Sequence, residues 1–343
     1  MENILKTIAG ILAILFIVTT MLAFVLFSVE QSAFDPELYI QALDDEGTYQ
    51  RLPELTAQAL AIAAQRPNAN QILSLFRNLS GEEWRVFVTE LFPPDVLRTL
   101  AVDGVTQVLD YLNGGRNTVT LSLASLKIHL LSPEGVSAVY GMLKAQPDCS
   151  VEQLTAMALN QSELTLCSPP ETFLFFDLRP VIESQIQGAM SLLPEQVTII
   201  KADANRTQTL RDLRALRLFM RWSPLMPLLC LLLMTALAVR SIRDWLNWWG
   251  YPLLIAGLLS MTLSAMSGII ASLTFQVFIA AALPDAIPPE IVSVFKDISA
   301  TIVRKAVQPT LPLAGLMALI GLIMILVAFL FRKRFQKTPA YAR

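Results

Sequence analysis

The side chains able to do chemistry are few and scattered. Glu82, Glu83 and Asp110 are carboxylates that an acid–base mechanism would use, provided a cleft gathered them and shifted their pKa values. His129, in SLKIHLLSPEG, is the sole histidine, and no G-x-S-x-G elbow accompanies it to supply a nucleophile. That pattern predicts a packed or surface histidine. Zinc needs three or four suitably spaced ligands, and one histidine with three cysteines does not supply them. Gly114-Gly115-Arg116-Asn117-Thr118 lacks the lysine and spacing of a phosphate loop, so it reads as a helix stop and turn. Asp44-Asp45-Glu46-Gly47 lacks the alternating acids and distal glutamate of a calcium loop, so it reads as a solvated helix end. No catalytic, cofactor-binding or metal-binding residue is assigned.

Cysteine chemistry is more specific. Cys149 and Cys167 lie together in PDCSVEQLTAMALNQSELTLCSPP, and in an oxidising compartment they are expected to form a disulfide around a short helix starting at Ser150. Cys230 falls in an apolar run and reads as a small packing residue. Asn78, Asn160 and Asn205 each begin an N-x-S/T triplet, a pattern frequent by chance.

The elements that must carry these residues are dominated by apolar runs. The chain has 343 residues, 54% hydrophobic and 16% charged. Soluble domains carry nearer a quarter charged residues, so the deficit points to membrane segments. A formal net charge of −2 favours no nucleic-acid partner. Residues 1–29 read as an uncleaved N-terminal anchor, because the apolar run exceeds the roughly 7–15 residues of a signal peptide. Residues 223–343 hold three further spans, about 224–241, 252–278 and 312–331, each near the ~20 residues that cross a bilayer. Within the third span Ala256, Ser260, Ser264, Gly268 and Ser272 recur at every fourth position, a ridge suited to close helix packing. Trp245, Trp248, Trp249 and Tyr251 read as an interfacial aromatic belt. Pro288-Pro289 opens an amphipathic helix over about 289–307.

Residues 30–222 form one mainly helical domain with at most a small β ribbon. Ser80 with Glu83 is a capping box, Ser150 with Gln153 repeats it, and Ser132-Pro133 is a further helix start. Residues 118–123 and 196–201 alternate with period two and would pair as the ribbon. Arg214, Arg217 and Arg221 form a basic face on the helix feeding the second span, facing either lipid phosphates or the acidic stretch 30–110, which holds 13 Asp/Glu and 5 Arg.

The expected fold class is therefore mainly α: an integral membrane protein with four transmembrane helices and a large extracytoplasmic helical domain. Lys6, Arg240, Arg243, Arg332, Lys333, Arg334 and Lys337 flank the spans on one side, which places both termini in the cytoplasm of a plasma-membrane protein and residues 30–222 outside. The apolar runs within the four spans, 8–29, 225–239, 252–278 and 313–331, contain no Asp, Glu, Lys, Arg or His, which counts against a self-sufficient ion-coupled transporter. The leading expectation is a non-enzymatic envelope protein with a partner- or ligand-binding outer domain. It would contact the lipid bilayer and either copies of itself or another membrane protein. The alternatives are an oligomeric channel or transporter subunit, and a membrane enzyme using Glu82, Glu83 or Asp110. No cofactor is expected.

Overall fold

Helix dominates the chain, and the only sheet among the described residues is a two-stranded ribbon. The structure, a computed structural model, describes residues 2–66, 73, 76–152, 167–168, 179–201, 206–282 and 288–335. In chain order the elements are α1 (Glu2–Ser32), α2 (Pro36–Asp45), α3 (Thr48–Gln65), α4 (Gly81–Leu91) and α5 (Pro94–Leu112). Then come β1 (Val119–Ser122), α6 (Ala124–Leu130), α7 (Pro133–Lys144), α8 (Arg179–Leu192) and β2 (Gln196–Ile200). The remainder is α9 (Arg206–Trp222), α10 (Leu225–Ala238), α11 (Ile242–Thr274), α12 (Pro289–Val307) and α13 (Thr310–Phe335). The chain divides into two units, Met1–Ala42 with Asp203–Leu283 and Phe295–Arg343, and Leu43–Ala202 with Pro284–Val294.

Among the described residues, the first unit holds four helices long and apolar enough to cross a membrane: Ile4–Ser32, Leu210–Ala238, Ile242–Ile279 and Thr310–Leu330. Two boundaries differ from those expected. The second stretch begins at Leu210 rather than 224, because α9 and α10 are separated only by the turn at Ser223 and Pro224. Pro224 has no N–H for the Met220 carbonyl four residues back, and Ser223 Oγ donates to that carbonyl instead at 2.7 Å. The third stretch begins at Ile242 rather than 252. Ser241 caps it, accepting from the Asp244 amide at 3.1 Å, and Pro252 lies inside the helix without ending it. Past Thr274 the helix widens into a π turn over Phe275–Ile279 and closes as a 3-10 turn over Ala280–Ala282.

Helices α11 and α13 make the most extensive helix pair in this unit. In lipid, helices gain nothing from leaving an apolar solvent, so close van der Waals approach holds them together, and small residues permit it. Ala256, Ser260 and Ser264 are buried on α11, while Gly268 and Ser272 are half-buried. Gly257, which the four-residue spacing omits, is the closest approach among the glycines of α11. A Cβ there would stand 2.6 Å from the Ala318 amide nitrogen and 2.7 Å from the Ala314 carbonyl oxygen. One Cβ on Gly250 would meet Ile325 Cγ1 at 2.8 Å, and one on Gly321 would meet the Leu254 amide at 2.5 Å. The buried face of α11 repeats every seven residues, through Gly250, Gly257 and Ser264 and through Ser260 and Ser267, and at both glycines it abuts α13. A Cβ on Gly268 would stand 3.6 Å from the Ala300 carbonyl oxygen and from Arg304 Cβ of α12, so its neighbour is the amphipathic helix of the same chain rather than another span.

Polar links complete the unit. Ser28 Oγ donates to the Ala306 carbonyl at 2.6 Å, and Ser264 Oγ to the Val307 carbonyl at 3.3 Å. Thr310 Oγ1 also donates to Val307, at 2.7 Å. The last carbonyls of α12, which have no partner in their own helix, are thus satisfied from α1, α11 and α13. On the far side, Trp249 Nε1 donates to Thr235 Oγ1 at 2.8 Å, tying α11 to α10. Cys230 packs with Ala9, Phe16, Leu231, Met234 and Ala256 in a shared core.

In the second unit the local signals are realised as helix ends. Ser80 and Glu83 form the full capping box. Ser132 accepts from the Gly135 amide ahead of α7. Helix α5 stops in a Schellman turn: Gly114 is left-handed at φ 84°, and Gly115 N–H reaches back to the Asp110 carbonyl at 2.9 Å. The start expected at Ser150 relies on Gln153, which lies outside the described residues. Around Trp84 the core gathers Ala57, Ala64, Leu79 and Val88, with Phe76 and Phe87 edge-on to the indole at 5.8 and 6.2 Å. Strands β1 and β2 pair antiparallel, with a bulge between Val119 and Thr120. The outer edge of β1 is closed by α5: Thr120 N–H donates to Gln107 Oε1 at 3.1 Å and Ser122 N–H to Asp103 Oδ2 at 3.2 Å.

The capping box carries a pH consequence. Glu83 is held below the usual carboxylate range by the Ser80 backbone N–H and then by the Ser80 side chain. A depressed folded pKa contributes stability that is present above the unfolded value, near pH 4, and is lost as pH falls through the folded one. Asp44, held down by its hydrogen bonds from Arg98, adds to the same trend. Ser80→Ala is expected to cost about 1 kcal/mol at neutral pH. It should also flatten the loss of stability between pH 5 and 2. Urea unfolding of wild type and variant at several pH values measures both effects, and equal stability at neutral pH would contradict the first.

Candidate functional site

The carboxylates that could serve an enzyme are each held by a neighbour in sequence. Glu82 pairs with Arg85, one turn along α4. Glu83 closes the capping box. Asp110 accepts from Arg116 Nε at 2.8 Å across the turn that ends α5. Both Glu82, through the Arg85 hydrogen bond, and Glu83 are pushed down rather than up, the reverse of what a proton donor at neutral pH requires. His129 lies with Nε2 2.7 Å from the Glu90 carbonyl, which makes it a donor linking α6 to α4. Asp44 takes a two-pronged ion pair from Arg98 at 3.0 Å per arm, so the acidic run before Gly47 is fastened to α5 rather than only solvated. No group of three or more His, Cys, Asp or Glu among the described residues could hold a metal ion.

Cys149 and Cys167 are joined as a disulfide with Cα atoms 4.9 Å apart. The bridge is flanked by a single parallel β contact, Asp148 against Ser168. Cys149 N–H donates to the Ser168 carbonyl at 2.8 Å, and Ser168 N–H to the Pro147 carbonyl at 2.9 Å. Backbone and sulfur together bring the two chain segments to one point. Most residues between them lie outside the described set.

Of the basic face on α9, Arg217 turns toward α1. Its guanidinium is 3.6 Å from Glu30 and lies over the Phe34 ring at 4.0 Å, an ion pair combined with a cation–π contact. Its acidic partner therefore belongs to the same unit. Arg214 and Arg221 are exposed. The aromatic belt is likewise divided in use: Tyr251 is exposed, whereas Trp249 is committed to Thr235 and stacks at 5.2 Å on Trp245.

One concave site stands out in the first unit. A cleft of about 720 Å³ opens where α1 ends, α2 begins and α12 turns into α13. Asp35, Glu37, Gln41, Lys305, Gln308 and Leu311 are among its lining residues. Local chemistry sets the walls. Asp35 follows the end of α1 and accepts from the Glu37 amide at 3.0 Å, the Asx turn that starts α2. Glu37 accepts from Gln41 Nε2 at 3.0 Å one turn on, and Gln41 Oε1 in turn accepts from Lys305 Nζ at 3.4 Å. Two carboxylates and one ammonium thus line one opening at the ends of two long apolar helices. Residues 35 and 305 are remote in sequence, and only the charges just outside the apolar runs hinted at the site.

No family model matches the chain, and no curated protein or solved structure is similar to it.

Proposed function

We propose that this chain is a non-enzymatic, multi-pass protein of the plasma membrane that binds a ligand or partner on its extracytoplasmic side. Both termini lie in the cytoplasm on this reading, and residues 30–222 lie outside. The observation that carries it is the partition of charge around four candidate spans. Lys6 precedes the core of the first, Arg240 falls between the second and third with Arg243 in the first turn of the third, and Arg332, Lys333 and Arg334 follow the fourth. With four crossings these clusters share one side, the one that retains Lys and Arg. The cleft of Asp35, Glu37 and Lys305 opens at the other ends of the first and fourth spans. A disulfide in residues 30–222 suits an oxidising exterior. The enzymatic alternative loses support because Glu82, Glu83 and Asp110 each have a local structural partner.

Cysteines placed singly at Glu46 and Ala340 in a Cys230→Ser background test the placement. An impermeant maleimide should label Glu46→Cys in intact cells and Ala340→Cys only after permeabilisation. The opposite pattern would overturn the orientation, and with it the external binding surface.

A further inference from the structure

We infer that the cleft between α1, α2 and the α12–α13 turn binds the headgroup of an ethanolamine phospholipid, a primary ammonium joined to a phosphate. The inference rests on the reading of the four apolar helices as membrane spans, but not on which side of the membrane the cleft faces.

Position, charge and lining each narrow the ligand. The cleft lies at the last residues of the first candidate span, Ile4–Ser32, and the first residues of the fourth, Thr310–Leu330, the level at which headgroups meet a bilayer-spanning helix. The formal charge of its described lining residues is net negative, with Asp35 and Glu37 against Lys305, which disfavours an anionic headgroup and favours one that carries a cation. Lys305 gives the phosphate a counter-charge, and Asp35 and Glu37 give the ammonium hydrogen-bond acceptors. None of the described lining residues is aromatic. A quaternary ammonium is recognised by aromatic faces because it has no N–H to donate. A primary ammonium donates three hydrogen bonds, and these walls suit it better than choline. Leu38 and Leu311, also in the lining, offer apolar surface to the glycerol and upper acyl chain.

The full chain, purified in detergent, is mixed with phosphatidylethanolamine, phosphatidylcholine and phosphatidylglycerol of identical acyl chains, and retained lipid is read by native mass spectrometry. Wild type should retain the ethanolamine lipid about tenfold over the other two, the factor that one charge-assisted hydrogen bond supplies. The double variant Asp35→Asn, Glu37→Gln should lose that preference at unchanged melting temperature, since asparagine still caps α2. Lys305→Met, which keeps most of the aliphatic stem, should reduce retention of the ethanolamine lipid as an independent check. Equal retention of the three lipids by wild type, or a preference that survives in both variants, overturns the assignment. Displacement of the lipid by millimolar free phosphoethanolamine would also overturn it, by identifying a soluble zwitterion as the ligand. Extraction of the chain from cell membranes by alkaline carbonate would instead refute the spans themselves, so the two failures are told apart.

Discussion

Gly257→Leu is expected to leave no stable four-helix unit. The first added atom already stands 2.6 Å from the Ala318 nitrogen and 2.7 Å from the Ala314 oxygen, and both are backbone. Side chains swing aside, but helix backbone does not, so α11 and α13 must separate along the whole seam. Overpacking of a tight core costs about 1–3 kcal/mol, occasionally more. Even Gly257→Ala should therefore lower the detergent melting temperature by roughly 2–12 °C, at about 2–4 °C per kcal/mol. Gly315→Ala is the matched control on the partner helix, because its Cβ would meet nothing nearer than Met261 Sδ at 3.9 Å. Equal melting temperatures for Gly257→Ala and Gly315→Ala would refute the seam.

Removal of the disulfide is the second large effect. Cys149 and Cys167 close a loop with a sequence separation of 18, for which chain entropy gives about 3 kcal/mol of stabilisation. Cys149→Ser should lower the stability of the second unit by that order. It should also open the 149–167 segment to protease, because the Asp148–Ser168 bridge alone contributes only two backbone hydrogen bonds. Peptide mapping without reductant should recover the two cysteines linked and Cys230 as a free thiol. Recovery of all three as alkylated thiols would defeat the prediction and would weaken the extracytoplasmic placement.

What was legible in the sequence divides by the range of the interaction. Helix ends were readable because a cap involves residues three or four apart, as in Ser80 with Glu83 and Ser132 with Gly135. The ribbon followed from period-two alternation in two short runs. The seam of α11 was half-legible. Its residue types announced close packing, but steps of four drift around a helix of 3.6 residues per turn, so Gly268 and Ser272 leave the face that Gly257 occupies. Only the partner helix fixes that phase. The apolar run marks the third span only from 252, but the helix that carries it is capped earlier, at Ser241, and continues through Pro252. The cleft was illegible because Lys305 meets Gln41 across most of the chain. The partner of Arg217 was hidden for the same reason, since Glu30 precedes it by more than half the chain.

The side chains that close the β1 edge bear on the order of assembly. Thr120 finds Gln107 only 13 positions back and Ser122 finds Asp103 only 19 back, whereas Leu121 and Val197, which face each other in the ribbon, are 76 positions apart. Loop closure grows costlier with length, and contacts close in sequence form before distant ones. Helix α5 is therefore expected to form ahead of the ribbon and to serve as its template. Asp103 and Gln107 hold the two outward N–H groups of β1, and its inward groups wait for β2. A strand arriving out of step would find those inward groups still in the geometry that α5 imposed, so the helix dictates the pairing before the second strand has emerged.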